Sequence, residues 1–122
     1  MHRLDREQER LSLQARLDAE KTQAERNRLG QFSTPAALAR DILRFGVALL
    51  GEESPVRFFD PAIGTGSFFS ALLSTVPVGR IEAAKGYELD THYGAPAHEL
   101  WRDAPLDLEL GDFTKADLPA SE

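Results

Sequence analysis

Asp60-Pro61-Ala62-Ile63-Gly64-Thr65-Gly66 is the stretch of this chain best suited to holding a ligand. It follows a short strand candidate, Val56-Arg57-Phe58-Phe59, and precedes an apolar run, Phe68–Leu73, so a tight loop joins a strand to a helix. Such a turn brings bare backbone N–H groups to a helix start, and Gly64 and Gly66 have no side chains to keep a ligand away. Asp60 adds a carboxylate at the strand end, able to accept from an amine. Glu88 follows 22 residues after Gly66, at the end of a second strand candidate, Ile81–Glu88. An acid about 20 positions beyond a glycine loop suits a ribose diol, because one carboxylate accepts from two hydroxyls. Asp112, in Gly111-Asp112-Phe113, closes a third strand candidate, Leu106–Leu110, which alternates apolar and acidic residues. Three carboxylates therefore end three successive strand candidates.

The loop departs from a dinucleotide fingerprint. Phe69 stands at the third glycine position, and Asp60-Pro61 places negative charge where a pyrophosphate binder avoids it. A ligand without phosphate, carrying an amine, a carboxylate and an adenosine, fits better. S-adenosylmethionine has those groups, and a nicotinamide dehydrogenase is disfavoured.

The elements that must position these residues follow from pattern. Residues 3–29 lack Gly and Pro and predict one long charged helix, with Arg3–Glu7, Arg16–Glu20 and Lys21–Glu25 four apart and a thin stripe of Leu4, Leu11, Leu13 and Leu17. That stripe predicts a solvated helix packing by one narrow face. Thr34 before Pro35 reads as an N-cap, opening a helix with Leu38, Ile42, Phe45 and Leu49 on one face and ending at Gly51. Strands are predicted at Val56–Asp60, Ile81–Glu88 and Leu106–Leu110, and helices at Ser67–Thr75 and Ala95–Asp103. The order α-α-β-α-β-α-β calls for a parallel sheet with right-handed crossovers. We expect a three-layer α/β arrangement, strands in the spatial order third-second-first, with the first at an edge. His92, Tyr93, His98 and Trp101 read as ordinary surface and core rather than a metal site.

Gly30-Gln31-Phe32-Ser33-Thr34-Pro35, the loop Asp60–Gly66, Gly86-Tyr87-Glu88-Leu89-Asp90 and Gly111-Asp112-Phe113, in that order, resemble the adenine-specific (N-6) DNA methyltransferases. The likeness is to the restriction–modification type, whose N-terminal motif precedes the cofactor loop, and it covers residues 30–114. It implies a Rossmann-like S-adenosylmethionine-dependent methyltransferase fold, here incomplete with three strands and an N-terminal helical extension. It also implies roles. Thr34 and Pro35 contact the methionine end of the cofactor; Asp60, Pro61, Ala62, Gly64 and Gly66 line methionine and ribose; Glu88 holds the ribose hydroxyls. Asp112 accepts from the adenine amine, with Phe113 beside the ring.

The family's catalytic motif, Asn- or Asp-Pro-Pro-aromatic, has no counterpart. The single asparagine is Asn27, and the single Asp-Pro, Asp60-Pro61, continues into Ala62-Ile63. The expectation is residues 1–29 as a charged helix and 30–122 as the cofactor-binding portion of a larger enzyme, inactive alone: a truncated product, a shortened chain or one piece of a split enzyme. DNA would be met by parts outside this sequence, and a complementary methyltransferase segment is a candidate partner. Other readings are a methyltransferase portion for RNA, protein or small molecules, and a non-catalytic cofactor-binding module.

Composition sets the bounds. The 122 residues are 42% hydrophobic and 28% charged, ordinary for one globular domain. Absence of cysteine excludes disulfides, thiolate metal sites and Cys nucleophiles. No apolar run approaches the length of a membrane span, and the charged N-terminus is not a secretory signal, so a cytoplasmic, metal-free protein is expected. Net charge is −6 overall, +1 over residues 1–29 and −7 over the rest, which disfavours a phosphate-gripping surface.

Overall fold

A computed structural model describes residues 3–29 and 33–115 of the chain. Its strands are β1 (Val56–Asp60), β2 (Ile81–Glu88) and β3 (Asp107–Leu110), and its helices are α1 (Arg3–Ala19), α2 (Gln23–Leu29), α3 (Ala36–Leu50), α4 (Ser67–Thr75) and α5 (Thr91–Leu100). All strand pairing is parallel, in the order β1-β2-β3, as the sequence pattern called for. β1 pairs on one side only, which makes it the expected edge among the described residues.

Alternation decides what the sheet covers. Phe58, Ala84 and Leu108 point to a core built with Phe69 and Leu72 of α4, Ala97 of α5 and Trp101 just beyond it. Phe69 meets Phe58 at 5.9 Å and Trp101 edge-on at 5.1 Å between ring centroids. On the opposite face Arg57, Phe59, Ala83, Asp107 and Glu109 are exposed, Tyr87 is buried beside Phe59 and under Lys85, and Lys85 crosses the face to pair with Asp107 and Glu109. The expected third layer is therefore not there among the described residues, and the core lies on one face of the sheet.

Three helices differ from expectation. Residues 3–29 are two helices, because Thr22 and Glu25 form a capping box: Glu25 N–H donates to Thr22 Oγ1 (3.0 Å) and Thr22 N–H to Glu25 Oε1 (3.1 Å). The Leu stripe of α1 divides, Leu17 being buried and Leu11 exposed. In α3 the N-cap is Pro35 rather than Thr34, with no side-chain cap bond. The face of α3 turned inward carries Ala39, Leu43 and Val47, whereas Leu38, Ile42, Phe45 and Leu49 are exposed. Helix α3 is apolar most of the way round, so spacing finds a stripe without saying which stripe is covered. Finally, α5 starts at Thr91 instead of Ala95. Asp90 caps it by accepting from His92 N–H at 2.9 Å, leaving Pro96 in the helix interior.

Candidate functional site

Parallel register brings the three strand-end acids to one rim. Asp60 pairs with Gly86, two residues before Glu88, and Glu88 pairs with Leu110, two residues before Asp112. Each acid thus sits one step further along the carboxyl edge of the sheet, where open α/β sheets place their crevices. A crevice of about 600 Å³ occupies this edge. Its lining includes Thr34, Asp60, Pro61, Ala62, Gly64, Glu88 and Asp112 among the residues read from the sequence, together with Gln14 and Lys21 from the N-terminal segment.

The loop is tied to the strand ends by three of its own backbone N–H groups. Ala62 N–H donates to Asp60 Oδ1 (3.0 Å), Ile63 N–H to the Tyr87 carbonyl (2.9 Å) and Gly64 N–H to Glu88 Oε1 (2.8 Å). The other Glu88 oxygen accepts from Asp90 N–H at 3.0 Å. A carboxylate oxygen has two acceptor positions, so Glu88 is held in place with one position per oxygen still available for a diol. Asp112 accepts from Thr114 N–H (2.9 Å) and Thr114 Oγ1 (2.6 Å), and these bonds hold its carboxyl below the usual carboxylate value. Burial pushes the Asp60 carboxyl up, the bond from Ala62 opposing it.

The two loop glycines differ. Both adopt positive φ, 58° at Gly64 and 98° at Gly66, a region that disfavours side chains. Gly64 lines the crevice with open space where a Cβ would stand. Gly66 faces inward: a Cβ there would lie 2.5 Å from Trp101 Nε1, which donates to the Thr65 carbonyl at 2.8 Å. Gly66 thus serves the packing of Trp101, and neither it nor Pro35 lines the crevice. Gly86 and Gly94 show the same need for close approach, since added Cβ atoms would meet Ile63 Cδ1 and Leu110 Cδ2, both at 2.4 Å.

Gly30, Gln31, Phe32 and the Phe113 side chain lie outside the described residues. His92, Tyr93 and Trp101 have structural partners: the Leu17 carbonyl, Asp18 Oδ1 and the Thr65 carbonyl respectively. Among the described residues no group of three or more His, Asp and Glu could hold a metal ion, and no helix is long and apolar enough to cross a membrane. Sequence reasoning missed Gln14 and Lys21, and it read Tyr93, which also lines the crevice, as ordinary surface or core. The capping box at Thr22–Glu25 was a readable sign that the first helix ends early, but nothing in the pattern showed that its polar side faces the loop.

No family model matches the chain. Solved structures do. A protein of Listeria monocytogenes assigned as a class I S-adenosylmethionine-dependent methyltransferase matches 99% of this chain at a TM-score of 0.62 and 16% identity. The methyltransferase subunit of a type I restriction–modification system from Streptococcus thermophilus matches 75% at 0.59 and 22% identity. An S-adenosylmethionine-bound amino pentose methyltransferase of Micromonospora echinaspora matches 83% at 0.53 and 21% identity. The chain spans 38%, 21% and 39% of those proteins' lengths. With its three parallel strands, flanking helices and strand-end crevice, the chain has part of the Rossmann-like fold of the S-adenosylmethionine-dependent methyltransferases.

Proposed function

We propose that the crevice binds S-adenosylmethionine, and that the chain is the cofactor-binding part of a DNA adenine methyltransferase of restriction–modification type. The observation that carries the cofactor reading is the charge of the crevice. Its lining holds four acids, Asp60, Glu88, Asp90 and Asp112, against one base, Lys21, which is paired with Asp90. Such a site disfavours phosphate and favours a ligand with a sulfonium, an amine and hydroxyl donors. When bound, this cofactor supplies an activated methyl group. Glu88 would take the ribose hydroxyls, Asp112 the adenine amine, and Asp60 the methionine amine, with Thr34, Ala62 and Gly64 around the methionine. Phe113 would lie beside the ring.

The DNA reading rests on the ordered motifs Gly30–Pro35 through Gly111–Phe113 and on the likeness to a restriction–modification subunit. Chemistry on an adenine amine needs an acceptor for its proton and a pocket for the extruded base, and unstacking costs a few kcal/mol. No Asn/Asp-Pro-Pro-aromatic is present to do this, so a complementary methyltransferase segment would supply it. The test is calorimetric titration with S-adenosylmethionine, NAD and ATP, then tritiated-methyl transfer to duplex DNA with and without a polypeptide carrying that motif. Binding of S-adenosylmethionine alone, with transfer only on mixing, is expected. Transfer by this chain unaided would refute the divided-enzyme reading. The amino pentose methyltransferase neighbour favours small-molecule acceptors as a second reading, so RNA and sugar acceptors belong in the same assay.

Cofactor affinity should fall on acidification. Burial disfavours ionised Asp60 in the ligand-free fold, whereas a cationic amine beside it favours the ionised form. Binding then releases a proton, and affinity declines as pH drops through the raised Asp60 pKa. The ligand-free fold responds in the opposite sense, since protonating Asp60 there relieves the cost of burying its charge. Dissociation constants from neutrality to about pH 4 should show the slope in wild type and lose it in Asp60→Asn.

A further inference from the structure

We propose that helix α1 is a wall of the cofactor site and that Arg10 is a positioning residue, holding Thr65 and Ser67 so that the glycine loop keeps its ligand-ready shape. The inference rests on the crevice being the cofactor site. Arg10 is a charged residue on a charged helix, yet it is 1% exposed. Burying a guanidinium is costly unless its donors are matched. Here Nε donates to Glu7 Oε1 at 2.6 Å and one terminal nitrogen to Glu7 Oε2 at 3.1 Å. The other terminal nitrogen donates to Thr65 Oγ1 (3.1 Å) and Ser67 Oγ (3.0 Å). Glu7 also accepts from Ser70 Oγ at 2.8 Å; burial raises its carboxyl, but the bonds from Arg10 and Ser70 prevail and hold it below its usual value. A solvated helix docking by its leucines needs none of this.

The target of Arg10 is informative. Thr65 is the residue between the two positive-φ glycines, is itself 1% exposed, and has every polar group of its side chain engaged. Its hydroxyl accepts from Arg10 and donates to Gln14 Oε1 at 2.5 Å, while its carbonyl accepts from Trp101. Glycine is the least conformationally restricted residue, so a Gly-Thr-Gly turn has little shape of its own. Removing α1 would leave the Thr65 hydroxyl without these partners, and the turn would then be held by its backbone bonds to Glu88 and Trp101 without any tie to the Thr65 side chain.

Helix α1 also spans the crevice. Gln14 enters its lining beside the loop, Tyr93 Oη donates to Asp18 Oδ1 at 2.7 Å, and His92 Nε2 meets the Leu17 carbonyl at 2.8 Å. Lys21, just past the helix, pairs with Asp90 on the far side. The helix therefore joins the β1–α4 loop to the start of α5, the two edges between which a cofactor would lie.

The experiment uses the full chain with Arg10→Met, Arg10→Lys, Thr65→Val and, as control, Arg16→Met, which alters an exposed arginine of the same helix. Readouts are the S-adenosylmethionine dissociation constant, its dissociation rate, the unfolding midpoint and the amide resonances of Gly64, Thr65 and Gly66 without ligand. Arg10→Met should weaken binding at least tenfold, mainly through faster dissociation, and shift or broaden the loop amides. Arg10→Lys, which keeps the charge without the guanidinium fork, should recover part of the affinity. Thr65→Val should act in the same direction, and it decides the matter should Arg10→Met fail to fold. Wild-type affinity in Arg10→Met or Thr65→Val, or an affinity loss no larger than the lowered unfolding midpoint accounts for, would overturn the proposal. Should wild type fail to bind S-adenosylmethionine, the cofactor reading falls. The loop amides of the ligand-free variants then still decide whether Arg10 positions the loop, unchanged resonances refuting it.

Discussion

Gly66→Ala is expected to destabilise the fold by roughly 2–5 kcal/mol, combining the strain of a side chain at left-handed φ with overpacking. Gly66 holds φ of 98°, and the added methyl would lie 2.5 Å from Trp101 Nε1 and 3.1 Å from Cε2. The indole cannot easily retreat. It is 2% exposed, packs edge-on against Phe69 and is tied to the Thr65 carbonyl. Against a total stability on the order of 5–15 kcal/mol, the change should lower the urea midpoint sharply or leave the chain partly unfolded. Gly64→Ala is the contrasting case. Its φ of 58° is also strained, but the new methyl meets nothing within 4 Å, so only about 1–2 kcal/mol is expected. That methyl would instead stand at the crevice, and Gly64→Ala should lose cofactor affinity out of proportion to its stability. Equal urea midpoints for the two variants would show that Trp101 does not dictate Gly66.

Glu88→Ala should weaken S-adenosylmethionine binding by tenfold or more. The carboxylate orients the loop through Gly64 N–H and the start of α5 through Asp90 N–H, and it retains acceptor capacity for two ribose hydroxyls. Each hydrogen bond to a charged group is worth roughly 1.5–3 kcal/mol, so losing even one in the complex reaches that magnitude. Asp90→Ala should behave differently, although it lies two residues away. Asp90 caps α5 and pairs with Lys21, so its removal should lower the unfolding midpoint, with an N-cap contributing about 0.5–2 kcal/mol, and change affinity less. Calorimetry and thermal unfolding of the two variants separate the roles; equal affinity losses would assign the ribose to the wrong acid.

Arg10 and Glu88 mark what could and could not be read from the chain. Glu88 was legible because strand ends are local facts. A strand, a glycine loop, a helix and a second strand place an acid at a parallel-sheet rim whatever the side chains around it do. β1 and β2 accordingly span the predicted residues, and β3 begins one residue late. The three acids and the loop followed from short-range pattern, and the parallel sheet from the alternation of strands and helices along the chain. Arg10 was illegible because the leucine stripe of α1 is thin, and periodicity does not distinguish a buried, matched charge from a solvated one. Helix α3 posed the same ambiguity in apolar form, its expected inner stripe being the exposed one.

The sequence by itself thus determined the parallel α/β order, the strand-end carboxylates and the glycine loop between Asp60 and Ser67. Each depends on spacing within a few residues, where backbone geometry leaves few choices. Only the tertiary structure decided that Gly64 serves the crevice and Gly66 serves Trp101, since the two glycines are chemically identical and differ in what lies beyond them. It also decided that α1 packs on the glycine loop. That choice is made by hydrogen bonds from Arg10 to residues 55 and 57 positions away, and a buried charge goes where its partners are, which no local periodicity records.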